Sequence, residues 1–223
     1  MEMRTTPVTY PGVGCLVEVM LGNKPQVAWV LEEQGGKLRL YTLGKREIKL
    51  APARILPWAG PAYDPDTPRA GMLELLQAHH DGRERFEASI DPMELWELAQ
   101  GEVESANLSW FAELLWDSPD SEQMAALGRA LLSCKTHFKF RPPQFDIHPS
   151  EKVAARLEEL AKARERERLA EAGRDFLAGL WHSRMDGSGK RPASPGDIAD
   201  ALAGILKKRI AFPDDSETGP VWK

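Results

Sequence analysis

Cysteine is almost absent. The 223-residue chain holds two, Cys15 and Cys134. They lie far apart and in no Cys-x-x-Cys or Cys/His pattern. That excludes a disulfide framework and a thiolate metal site, and reads as two free thiols in a reducing compartment. Long apolar runs are also missing. Nothing approaches the roughly 20 residues that cross a bilayer, and the stretch from Met1 to Val13 lacks the apolar core of a signal peptide. A cytoplasmic protein without a membrane partner is the expectation. Surplus positive charge is missing as well. The net charge is −5, so no global field draws nucleic acid to the chain, and any such binding has to use local patches.

Catalytic signatures are absent too. There is no Gly-x-Gly-x-x-Gly or phosphate-binding Gly-x-x-x-x-Gly-Lys-Ser/Thr stretch, and no Gly-x-Ser-x-Gly elbow. His79-His80 is the best metal candidate, but neighbouring helical residues point about 100° apart and do not share an ion unaided. Asp214-Asp215 lies in a polar tail with no helical register. The carboxylates from Asp64 to Glu122 spread over several helix faces, which suits solubility better than acid–base chemistry. The sequence therefore assigns no catalytic residue, no metal ligand and no cofactor to this chain.

What the chain has is an ordered change of pattern, which predicts an α+β multidomain protein. Residues 1–60 read as a small five-stranded β-barrel. "GCLVEVM" and "QVAWVLEE" are strands, Gln34-Gly35-Gly36 is hairpin chemistry, and "KLRLYT" alternates, with Leu38, Leu40 and Thr42 on one side and Lys37, Arg39 and Tyr41 on the other. "REIKL", a helical turn at Ala51–Arg54 and "ILPW" complete it. An SH3-like barrel fits this order, with an open OB-like barrel as the alternative. The proline-rich "AGPAYDPDTP" marks a joint.

Residues 61–148 read as a winged helix-turn-helix domain. Thr67 caps a first helix with Pro68 at its first position, running to about Ala88. Asp91-Pro92-Met93-Glu94 starts a helix burying Leu95, Leu98 and Trp96. Asn107 caps "LSWFAELLW", with Phe111, Leu114 and Leu115 inward. Ser118-Pro119 starts the presumed recognition helix, with Met124, Leu127, Leu131 and Leu132 inward. The hairpin "HFKFRPPQF" follows, bent at its prolines. Residues 149–223 read as a long charged helix, Glu151 to Trp181, a loop at Asp186–Gly196 and a helical C-terminal segment. The charged centre, "KARERER", suits a solvated span or i,i+4 ion pairs.

Cations concentrate where the acids are few. From Lys37 to Arg54 six cations stand against Glu47 alone. Lys37, Arg39 and Tyr41 on one strand and Lys49 on the next form a basic face with an aromatic in it, the layout used for single strands. An ordinary solvated face is the alternative. In the hairpin, strand alternation puts His137, Lys139 and Arg141 on one side and Phe138 and Phe140 on the other. The phenylalanines pack on the preceding helix with Phe145, leaving Lys135, Lys139 and Arg141 as a cationic wing. The recognition helix itself offers only Arg129, too little for a duplex reader, since phosphates supply most of the affinity.

The segments "GCLVEVM", "AWVLEEQGGKLRLYTLGKREIKLAPARIL", "IDPMELWELA", "LSWFAELLW" and "HFKFRPPQFDIHPSEKVAARLEEL" resemble the N-terminal part of bacterial RNB-type exoribonucleases, the ribonuclease II family. The nearest likeness is to the subgroup with a helix-turn-helix domain in place of cold-shock domains, and it covers residues 12 to about 181. It implies processive 3′-to-5′ hydrolysis of single-stranded RNA, carried out by Mg²⁺ held on an aspartate cluster. No Asp-Ile-Asp-Asp motif occurs here, and Pro213-Asp214-Asp215-Ser216 is not one. The resemblance thus implies an RNA-engaging accessory region whose partners are single-stranded RNA and a catalytic domain of the same polypeptide beyond Lys223. The residues expected to touch RNA are Lys37, Arg39, Tyr41, Lys49, Arg54, Lys135, Lys139 and Arg141. Two other readings stay open. One is a winged-helix regulator of duplex DNA. The other is a protein-interaction adaptor with Trp29 or Trp58 lining a groove, although both suit a core better.

Overall fold

The computed structural model describes residues 12–187, 196 and 199–213. Asp214-Asp215, the start of the chain and most of the loop at 186–196 lie outside the described residues. The protein is α+β and divides into two compact units, Met1–Val153 and Ala154–Lys223.

The first unit opens with a five-stranded antiparallel sheet: β1 (Cys15–Leu21), β2 (Lys24–Gln34), β3 (Lys37–Thr42), β4 (Glu47–Leu50) and β5 (Ile55–Ala62), in the order β4-β3-β2-β1-β5. A 3-10 turn, Pro52–Arg54, leads into β5. β5 runs four residues further than expected, through part of the proline-rich joint, because it pairs with β1 as far as Cys15↔Ala62 across two register shifts. A glycine is required within that stretch. A Cβ on Gly60 would sit 2.8 Å from the Leu16 Cβ and 2.9 Å from the Arg83 Nη2.

Both faces of this sheet are covered. Val17, Val19, Ala28, Val30, Leu38, Leu40 and Ile55 form one apolar layer. On the other face Leu16, Val27, Trp29 and Tyr41 pack with Met72 and Leu76 of α1 (Arg69–Glu87). α1 begins at Arg69 with Pro68 as its cap residue, one position later than expected. Thr67 instead gives its hydroxyl to the Asp64 carbonyl.

Then follow α2 (Pro92–Ala99), β6 (Ser105–Asn107), α3 (Leu108–Leu115), α4 (Ser121–Ser133), β7 (Phe138–Arg141) and β8 (Gln144–Ile147). The expected caps Asp91 and Asn107 each accept a backbone N–H. For α4 the cap is Asp120, in a complete capping box with Gln123, rather than Ser118-Pro119. β6 was not expected. It makes the hairpin a three-stranded sheet, ordered β6-β8-β7. Phe111, Phe138 and Phe145 meet edge to face in the core. Leu98 and Leu114, expected inside, are exposed; Ala99 and Ala112 take the buried places on α2 and α3.

α5 (Ser150–Met185) leads into the second unit, which also holds α6 (Ala199–Ala211). Ala170 and Leu202 are buried there against Leu169, Ala172 and Ile205. Leu157 and Leu160 of α5 are exposed. The charged centre of α5 carries the short-range ion pairs Glu158–Lys162 at 2.6 Å and Glu165–Arg168 at 3.0 Å. Among the described residues, no helix is long and apolar enough to cross a membrane.

Candidate nucleic-acid interface

The basic face of the sheet is smaller than its sequence suggests. Lys37 and Lys49 are exposed, and Arg39 stands opposite Lys49 in the β3–β4 register. But Arg39 is committed to Glu32 at 2.8 Å and to Glu47 at 3.5 Å. Tyr41, expected outward, is only 8% exposed. α1 covers it, with the Arg69 guanidinium 4.5 Å from its ring centre and Arg69 also bound to Glu47. The aromatic of the expected stacking face is therefore core. Arg54 is exposed in the 3-10 turn.

The hairpin follows the expected division closely. Phe138 and Phe145 are buried, and Phe140 packs on Phe145 at 4.7 Å and on Trp58 at 6.2 Å between ring centres. Lys135, Lys139 and Arg141 are exposed. Arg141 is paired with Asp146 at 2.7 Å. His137 departs from the pattern. It is buried, its ring 4.9 Å from that of Trp96, and burial, with His148 nearby, pushes its pKa below 6.5. Among the described residues, Lys37, Lys49, Arg54, Lys135 and Lys139 have no carboxylate within ion-pair distance.

The residues that sequence reasoning missed are inside. Glu18 of β1 is fully buried. Its carboxylate accepts hydrogen bonds from the Trp58 indole and, at 2.6 Å, from the Arg129 Nε. The Arg83 Nη1 lies 3.7 Å away. Arg83 donates through Nε and Nη2 to Glu122, both at 3.1 Å. Glu122 meets the His79 Nδ1 at 3.0 Å, and the His79 Nε2 meets the Tyr63 hydroxyl at 2.6 Å. Burial by itself would raise the Glu122 carboxyl, but the hydrogen bonds from His79 and Arg83, with their charges, outweigh it and hold the group at about 2. Burial and the Glu122 charge push the Tyr63 hydroxyl up.

This network crosses from the sheet to α1 and α4. The helix expected to read a groove spends its face on it: every residue from Ala125 to Leu131 is buried. Gly128 lies flat on the Trp58 ring, where a Cβ would approach within 2.7 Å. His79 and His80 part company as the helical geometry requires. His79 turns to Glu122, and His80 to Glu84 at 3.2 Å.

One cleft combines cations with an exposed acid, Glu84, and a part-buried one, Glu87. It is about 790 Å³ and opens between the β1–β2 turn, Leu43, α1 and the end of α4. Lys24 and Lys135 line it, together with His80, Glu84 and Glu87. Burial raises the Glu87 carboxyl, Arg129 lowers it, and Glu18 raises it further, with a net upward shift. No family model matches the chain, and neither a curated protein nor a solved structure matches it.

Proposed function

We propose that the first unit is an RNA-engaging accessory region of the kind that precedes the catalytic domain of RNB-type exoribonucleases. It guides single-stranded RNA, while hydrolysis and its Mg²⁺ belong to a separate catalytic domain of the same polypeptide. Two features of the architecture support this. The order β4-β3-β2-β1-β5, with a 3-10 turn before the last strand, supports the reading of an SH3-like barrel. The run α2-β6-α3-α4-β7-β8, with β8 central in its sheet, supports the reading of a winged helix.

The observation that carries the reading is the contrast between α4 and the wing. α4 is buried from Ala125 to Leu131, while Lys135 and Lys139 stand exposed beside it. A duplex reader needs the opposite, because base-reading side chains must leave the helix for the major groove. An adaptor groove built on Trp29 or Trp58 is likewise disfavoured, as they are 0% and 3% exposed. Backbone phosphates are what a few exposed lysines recognise.

The test is a fluorescence titration of the whole chain with oligouridylate at several salt concentrations. Five cations neutralising about 0.7 charge each give a log–log slope of roughly −3 to −4. Changing Lys49, Lys135 and Lys139 together to alanine should flatten the slope by about 2 and leave the circular dichroism unchanged. Salt-independent binding, or tighter binding to duplex DNA, would remove the proposal.

A further inference from the structure

The cleft above α1 has a chemistry that phosphate guidance does not use. Its floor carries Glu84 and Glu87, one helical turn apart on α1. Its rim carries Lys24 and Lys135, which come from different parts of the first unit. Met20, Pro25, Leu43 and Leu132 supply apolar wall. Arg129 stands at the back, already engaged by Glu18. At about 790 Å³ the space lies within the range of small-molecule sites.

Glu87 is under-served. It is half-buried, and among the described residues its one hydrogen-bond donor is the Ser133 hydroxyl at 3.5 Å, whose single proton is drawn to the Arg129 carbonyl at 2.9 Å. A partly buried carboxylate with so little hydrogen bonding to the protein is open to N–H donors from a ligand. A divalent cation does not answer that need well. His80, Asp81 and Glu84 bring ligand atoms within 4.8 Å of one another, but Asp81 is held by the Gln77 amide at 2.7 Å. Three cationic side chains, Lys24, Arg129 and Lys135, also line the same space.

We propose that this cleft binds one guanine nucleotide of the RNA strand, with the Glu87 carboxylate on the base and Lys24 and Lys135 on the flanking phosphates. Guanine presents two parallel donors on its Watson–Crick edge, N1–H and N2–H, and one carboxylate accepts both. Cytosine and adenine offer a single exocyclic amine there, and uracil a single N–H. The apolar wall covers the faces of the base. The inference rests on the RNA-engaging reading and adds a base preference to it.

Two measurements separate the inference from its premise. The first follows backbone amide resonances of the whole chain during titration with guanosine 5′-monophosphate, with uridine 5′-monophosphate as the control. His80, Glu84, Glu87 and Ser133 should shift saturably with the guanine nucleotide and far less with the uracil one. The second compares oligouridylate with the same oligomer carrying one central guanosine. The guanosine should tighten binding about tenfold, within the range of one bidentate base contact. Glu87→Gln should abolish that gain and leave the oligouridylate affinity unchanged. Unmoved amides, or a guanosine gain that survives Glu87→Gln, would overturn the pocket. Oligouridylate binding with no guanosine gain overturns the pocket alone. Nucleotide binding without oligomer binding overturns the RNA-guiding reading and leaves the pocket standing.

Discussion

Glu18 sits in the strand "CLVEVML", where every neighbour on either side is apolar. Alternation places it on the face opposite Val17 and Val19, which in a sheet with one wet side would meet solvent. Here α1 and α4 cover that face, and the acid accepts hydrogen bonds from Trp58 and Arg129 with the Arg83 cation 3.7 Å away. A single acid amid apolar strand residues was the available signal. What it could not reveal was the partners, which lie 40, 65 and 111 positions away in the chain. Removing one side of so dry a pair leaves a bare charge, at a cost of about 3–5 kcal/mol. Arg129→Met alone should cost that much in urea unfolding. Glu18→Leu with Arg129→Met should recover most of it, since Arg83 retains Glu122. Additive losses would show that the pair is not coupled.

At the scale of elements, local chemistry was legible. β3 has the expected bounds, the turn before β5 is helical, Asp91 and Asn107 cap where expected, and the hairpin phenylalanines point inward. These depend on period, turn residues and capping groups close in sequence. The coverage of Tyr41 by α1, the short strand β6 and the burial of α4 were not legible, because periodicity identifies an apolar face and not what lies on it. Tyr41 in particular has the alternation of an outward residue and the neighbours of a core one. The α4–β5 packing makes its own prediction. Gly128→Ala drives a methyl into the Trp58 ring, and overpacking of this kind costs about 1–3 kcal/mol. Thermal unfolding should register the loss, together with a change in tryptophan fluorescence. An unchanged melting temperature would mean the helix and strand separate freely.

For the molecule as a whole, acid is the natural probe of the buried network. The folded pKa of Glu122, about 2, lies below its ordinary 4.5. Its contribution is therefore present above pH 4.5 and is lost as pH falls toward 2. His137 is also held below its ordinary 6.5, so its contribution is present above pH 6.5 and is lost as pH falls through the lowered value. Melting temperature should decline in two stages between pH 7 and pH 2. Glu122→Gln should remove the second stage and leave the first. A variant whose curve parallels the parent throughout would exclude Glu122 as the acid trigger.

The contact between Phe140 and Trp58 has a mechanical meaning. Trp58 belongs to β5, at the edge of the five-stranded sheet, and Phe140 to the β7–β8 hairpin. The hairpin and the five-stranded sheet are thus joined ring to ring, and a displacement of one is carried to the other through packed side chains.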